Sequence, residues 1–251
     1  MKLKARAYLK LAAEEWRGKY DSVKPFYEGL AAVKLNGKWG FIDKTGKEVV
    51  PPKYGYVEHF SEGLAKVVLN GKSGSVDKTG KEVVPLKYDY VGNFREGLAE
   101  VQLKGMWGFV DVKGKVVIPL EYNQLGNFHE GLVLAVLNGK YGFINKEDKD
   151  VIPLMYDRAG NFHEGLAAVE LKRKWGFIDV TGKEVIPLMY DDVGFFSDGL
   201  AEVKLNGKWG FIDVTGKEVV PVRYTDEELS PIRTLIGLGG DSNVILEQIS
   251  S

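Results

Sequence analysis

The 251-residue chain contains no cysteine. That excludes disulfide staples, cysteine-ligated zinc and a thiol nucleophile, and it leaves the compartment open. Long apolar runs are also missing. The opening segment MKLKARAYLKLAAEEWRGKY is broken by Lys10, Glu14 and Glu15 before it reaches signal-peptide length. No stretch approaches a membrane span, so no membrane insertion is expected. An excess of one charge is lacking as well: 34 basic and 35 acidic residues leave a formal net charge of −1, with the two signs interspersed. Phosphate backbones need clustered Lys and Arg, so nucleic acid is not an expected partner. Glycine is what the chain has in surplus. The 31 glycines against 9 prolines suggest many tight turns rather than a disordered linker.

The glycines recur in phase. From Phe26 the chain reads FYEGLAAVKLNGKWGFIDKTGKEVVPPKYGYVEH, and further copies begin at Phe60, Phe94, Phe128, Phe162 and Phe196. Six copies of 34 residues (26–59, 60–93, 94–127, 128–161, 162–195 and 196–229) follow without an insertion. A constant phase means that each copy makes the same contacts with its neighbour, as in a tandem array. Residues 1–25 read as an N-terminal helical cap, with Leu9, Ala12, Ala13 and Trp16 on one helical face. Residues 230–251 read as a C-terminal cap or tail, and Asp226-Glu227-Glu228 can start a short helix before Ile232.

Within one copy, Leu30–Leu35 alternates as a half-buried strand does: Ala31, Val33 and Leu35 point one way, Ala32 and Lys34 the other. The second set varies freely between copies (Lys66, Glu100, Leu134), which suggests a wetter face. Asn36-Gly37 supplies the positive φ angles of a two-residue hairpin turn before a second strand, Lys38–Asp43. Lys172-Arg173 replaces both turn residues in the fifth copy, which predicts strain there. Asp43-Lys44-Thr45-Gly46 is a second turn, with Asp as its cap. A third strand, Glu48–Val50, is expected to stop at Pro51, and Tyr54 and Phe60 anchor the return connection. The unit is therefore a three-stranded meander, with a weak fourth strand suggested at 56–60.

The recurring GKWGFID.TGKEVVP..YD.VG.F.EGLA.V closely resembles the bacterial WG-repeat (KWG-repeat) proteins over all six copies. The resemblance implies an all-β repeat module used for binding rather than catalysis. A looser likeness to cell-wall-binding hairpin repeats raises a glycan ligand. The array is expected to be an open β-solenoid with atypical end segments over its exposed edges. The alternative is a closed six-bladed propeller-like ring, against which 34 residues look short for a four-stranded blade. With no leader in view, the cytoplasm is the default location, and the cell envelope is the alternative if a leader was removed.

Catalytic chemistry is hard to find. His129 and His163 share one phase, but no third ligand repeats with them, and His59 sits elsewhere, so no metal or other cofactor is expected. The column Glu28, Glu62, Glu96, Glu130, Glu164 and Asp198 offers six equivalent carboxylates, whereas acid–base work needs two that differ. Turn capping or lysine pairing suits that column better. The Asp43, Asp77, Asp111, Asp179 and Asp213 column, with Asn145 in the fourth copy, reads as turn caps. The lysine row from Lys47 to Lys217 reads as a solvated mixed-charge face, and Gly237-Leu238-Gly239-Gly240 as a flexible tail.

The aromatic columns remain. Trp39, Trp107, Tyr141, Trp175 and Trp209 share one phase, with Phe41, Phe109, Phe143, Phe177 and Phe211 two residues on and so on the same strand face. Copy two carries Ser73 and Ser75 instead, yet keeps Gly74 between them. Either the aromatic face is partly exposed, or the serines floor a notch that takes a sugar ring or a partner's side chain. The expected function is a non-catalytic scaffold for a protein partner, using a variable face lined by Lys66, Glu100, Leu134, Glu170 and Glu202. The alternative is a glycan-binding module that stacks sugars on the aromatic column.

Overall fold

A computed structural model of the chain describes residues 15–237. Within them lie six four-stranded antiparallel sheets, spanning 22–54, 56–88, 90–122, 124–156, 158–190 and 192–224 and numbered here 1 to 6. Each sheet is a meander of consecutive strands. Sheet 1 runs through β1 (Ser22–Tyr27), β2 (Leu30–Leu35), β3 (Lys38–Asp43) and β4 (Glu48–Tyr54). The weak strand expected at 56–60 exists as Tyr56–Val57, but it opens sheet 2 instead of closing sheet 1. The sheet therefore starts four residues ahead of the repeat phase set at Phe26. Thirty-four residues do suffice for four strands, so shortness does not count against a blade.

The chain divides into two compact units, one ending at Tyr122 and the next beginning at Asn123. In the first unit, Leu30, Phe41, Val50 and Tyr54 of sheet 1 pack on Val57, Phe60, Ala65, Val67 and Val76. Sheets 2 and 3 pack in the same way. The other face of sheet 1, formed by Ala31, Val33 and Ile42, is covered by Tyr20 and Trp16. Trp16 belongs to a 3-10 turn, Glu15–Lys19; Leu9, Ala12 and Ala13 of the expected helical cap lie outside the described residues. In the second unit the pattern repeats between sheets 4 and 5 and between 5 and 6. A helix, α1 (Asp226–Gly237), then covers Leu200, Phe211 and Val220 of sheet 6 with Leu229 and Ile232. Thr225 and Glu228 cap its start reciprocally: the Thr225 amide donates to the Glu228 carboxylate and the Glu228 amide to the Thr225 hydroxyl. Leu238, Gly239 and Gly240 lie outside the described residues.

Both faces of sheets 1, 2, 5 and 6 are thus packed, and this corrects the reading of a wet variable face. Ala32 is buried, and the Lys66 and Glu170 side chains are only 11% and 14% exposed. Dry packing on two sides explains the near-continuous apolar β2 strand.

The repeat signature is the chemistry of two turns and one bulge. Asn36 and Gly37 have φ of 50° and 78°, as a two-residue hairpin requires. Lys172 and Arg173 reach 54° and 64° without a glycine, so the expected strain is present. Between β3 and β4 the register slips: Trp39 faces Tyr54 and Phe41 faces Val50, leaving the Pro51 segment bulged outward. Gly40 lies under that bulge, where a Cβ would come 2.3 Å from the Val50 carbonyl oxygen. The equivalent distance at Gly74 is 2.5 Å. Copy two can lose its aromatics and still needs its glycine.

Candidate functional site

The polar columns are consumed in building the array. Asp43 accepts hydrogen bonds from the Thr45 hydroxyl (2.6 Å) and from the Thr45 and Lys47 amides (2.8 and 3.1 Å). The Thr45 hydroxyl, followed by those amides, holds its carboxyl below the usual range, and Asp77, Asp179 and Asp213 repeat the arrangement. Asn145 caps its own turn at 3.0 Å. The glutamate column reaches further than turn capping within one copy. Glu28 accepts from the Gly63 amide of the next copy at 3.0 Å, Glu62 from Gly97 at 2.9 Å, and Glu164 from Gly199 at 2.9 Å. Within each unit it is a ladder that ties a turn to the following one. Among the described residues no three His, Asp or Glu side chains are grouped to hold a metal ion.

The aromatic columns divide by depth. Phe41, Phe109, Phe143, Phe177 and Phe211 are buried, whereas Trp39, Trp107, Tyr141, Trp175 and Trp209 are half-buried, so no open aromatic ladder exists. Several members already have companions. The Lys24 ammonium lies 4.6 Å from the Trp39 ring, and Tyr90 meets Trp107 edge-on at 5.7 Å. Lys204 and Arg233 cover Trp209, with Arg233 held by Glu202 through paired hydrogen bonds. Trp175 packs against the cluster of Phe177, Ile186, Tyr190 and Phe196.

Ser73 and Ser75 do not floor an open notch: they are 4% and 1% exposed. Lys66 stands directly opposite Ser75 in the strand ladder and so shares its face. Its ammonium sits 4.3 Å over the Tyr90 ring and 3.7 Å from Glu58. The lysine stem thus runs over the strand face that Ser75 shares, with only 11% of the side chain exposed. The Ser75 hydroxyl itself finds no partner.

That pairing locates the openings. The residues opposite the buried Phe column are Ala32, Glu100, Leu134, Ala168 and Glu202, with Lys66 opposite Ser75 in copy two. Where alanine stands there, a cleft opens between neighbouring sheets. The first-unit cleft, about 210 Å³, lies over Ala32 and Phe41; the second-unit cleft, about 280 Å³, lies over Ala168 and Phe177. The two are in phase, and each has a ring pair at its mouth. Tyr27 lies 4.4 Å from His59, and His163 lies 4.9 Å from Phe195, both pairs tilted by 32°. The remaining copies carry Ser61 and Asn93, Arg95 and Asn127, His129 and Asn161, and Ser197 and Leu229 at these positions. The coincidence of alanine with an in-phase ring pair was visible in the sequence, and comparing copies column by column would have found it. Reading the variable column as a wet face concealed it.

The clefts differ in chemistry. In the second unit Gly160 and Ala168 both lack a side chain over the floor, Trp175 and Leu166 form walls, and Phe195 is 65% exposed at the rim. In the first unit Lys24 replaces the glycine, and Glu58 and Tyr56 join the rim.

These features define a tandem all-β array of four-stranded meanders, with clefts between sheets at two of the copies that carry alanine opposite phenylalanine. The chain belongs to the WG-repeat family: the family described as WG containing repeat matches seven successive segments, 18–39, 39–72, 74–107, 107–141, 141–175, 175–209 and 209–226. No curated protein matches the chain. Among solved structures it is similar in fold to a eukaryotic initiation factor, with 10% identity over 81% of this chain and 66% of that one and a TM-score of 0.41. It is also similar to Kluyveromyces lactis Hsv2, with 10% identity over 74% of this chain and 70% of that one and a TM-score of 0.38. A third likeness is to the extracellular domain of the one component system BT4673 from B. thetaiotaomicron. That match has 13% identity over 72% of this chain and 31% of that one, with a TM-score of 0.35.

Proposed function

We propose that the chain is a non-catalytic binding module that seats an apolar side chain of a protein partner in the second-unit cleft. The observation that carries this reading is the combination of an open floor at Gly160 and Ala168 with Phe195 left 65% exposed at the rim. A large apolar ring held out at the edge of an apolar cleft is costly to solvate and is the usual signature of an interaction site. At about 280 Å³ the cleft is below the size of sites for drug-sized ligands and suits one anchoring side chain. The second unit carries 13 basic and 20 acidic residues, a formal charge of −7, so a partner segment with basic residues beside its anchor is favoured. No asymmetric set of nucleophile, base and orienter accompanies the cleft, because the repeated carboxylates are spent on turns and ladders.

The test is peptide selection from a displayed library against the whole chain, with Ala168→Leu as the counter-screen. Leucine is what the chain itself carries at Leu134, so the variant is expected to fold. Selected peptides should carry an aromatic or aliphatic anchor near Lys or Arg, and should bind Ala168→Leu at least ten-fold more weakly. Selection of peptides that bind both forms equally would refute the reading.

A further inference from the structure

We propose that the first-unit cleft is a carbohydrate site that takes a single neutral pyranose ring, independently of the protein site in the second unit. The cleft keeps the alanine floor at Ala32 over Phe41 but surrounds it with different chemistry. Tyr27 and Tyr56 are each 46% exposed, and His59 stacks on Tyr27. Two half-exposed phenol rings offer apolar faces together with hydroxyl groups that donate and accept. The Tyr56 hydroxyl donates to Glu58 at 3.4 Å, and Lys24 donates to the Val57 carbonyl at 3.5 Å.

The occupant follows from what this lining refuses. A cationic ligand would compete with a cation already in place, since the Lys24 ammonium lies 4.6 Å from the Trp39 ring and 5.7 Å from the Tyr56 ring. An anion would meet the Glu58 carboxylate on the rim. A purely apolar side chain would desolvate Lys24, Glu58 and two phenol hydroxyls without replacing their hydrogen bonds. A ligand with apolar faces and a girdle of hydroxyls satisfies both sets at once, and that is the chemistry of a sugar ring. A volume of about 210 Å³ admits one ring and leaves the rest of a longer glycan outside. The aromatic partners are Tyr27, Tyr56 and His59, not the Trp column that sequence reasoning favoured for sugar stacking.

The experiment is saturation-transfer NMR on the whole chain with glucose, galactose, mannose and N-acetylglucosamine, each at millimolar concentration. p-Cresol and adenosine serve as non-sugar ring probes. The proposal expects transfer to the ring protons of at least one sugar. Affinity should fall at least ten-fold in Tyr56→Ala and in Ala32→Leu, and stay unchanged in Ala168→Leu. Retained melting temperature in Ala32→Leu separates a filled cleft from a misfolded chain. Absence of transfer to every sugar, transfer undiminished by Ala32→Leu, or binding of p-cresol or adenosine in this cleft with no sugar bound would each overturn it.

Discussion

Lys66 and Ser75 should behave as one packing unit. Replacing Lys66 by alanine removes three methylenes and the ammonium from a site where the side chain is only 11% exposed. At about 0.8 kcal/mol per buried methylene the lost burial is about 2.5 kcal/mol, and the ammonium's contacts with Tyr90 and Glu58 add about 0.5 kcal/mol. Release of the lysine's rotamer entropy offsets roughly 1 kcal/mol of that, so Lys66→Ala should destabilise the chain by about 2 kcal/mol. The expectation changes once Ser75 becomes phenylalanine. Alanine opposite phenylalanine is the arrangement already present at Ala32–Phe41 and Ala168–Phe177. In that background Lys66→Ala should cost less than about 1 kcal/mol, because the resulting alanine–phenylalanine pair is one that two other copies already accommodate. Urea unfolding followed by tryptophan fluorescence on the four chains of the cycle gives a coupling energy, expected above about 1 kcal/mol. Costs that add to within about 0.5 kcal/mol would refute the compensation argument. Ser75→Ala is the control: it removes an unpartnered buried hydroxyl and should stabilise slightly.

Other expectations follow from the turns and the bulge. Changing Lys172-Arg173 to Asn-Gly relieves two positive-φ side chains and should stabilise by about 1–2 kcal/mol, read as a higher melting temperature. Gly176→Ala would place a methyl 2.5 Å from the Ile186 carbonyl oxygen and should destabilise by about 3 kcal/mol in the same assay. Asp43, Asp77, Asp179 and Asp213 have carboxyl pKa values lowered by their Thr hydroxyl and amide donors. Their contribution is present above the unfolded carboxylate value and is lost as the pH falls below about 4 through the lower folded values. Substituting Asn at all four, as Asn145 already stands, should flatten that acid loss in urea midpoints measured against pH. The open array expected from the sequence is tested by small-angle scattering: an elongated particle supports it, and a flat disc with a central channel contradicts it.

Much of the fold was legible because the same residues solve the same local problem six times. Asn36-Gly37 and the Asp43 cap are local chemistry, and each appears where its spacing placed it. The expected stop at Pro51 does not: the strand runs on through Pro51 and Pro52 to Tyr54, because the bulge holds the proline out of the ladder. The Tyr56–Val57 pairing was missed because a two-residue strand has no period of its own; its partner, Val67–Val68, lies in the next copy. The Glu28 ladder was hidden for a related reason, since its acceptor role is completed 35 residues away. The candidate site was legible only in part. The serines of copy two marked a departure correctly, but they are buried on a face shared with Lys66 of the facing strand, which no single-strand pattern reveals. Two open clefts lie instead where alanine faces phenylalanine, at Ala32 and Ala168.

The central claim is that the residue opposite each buried phenylalanine decides whether the gap between sheets can hold a ligand. The most direct measurement is a p-cresol titration followed by amide chemical shifts on the whole chain and on Ala168→Leu. The account predicts shifts centred on Gly160, Ala168 and Phe195 in the starting chain and their loss in the variant. Shifts that survive in Ala168→Leu, or that centre elsewhere in both chains, would contradict it.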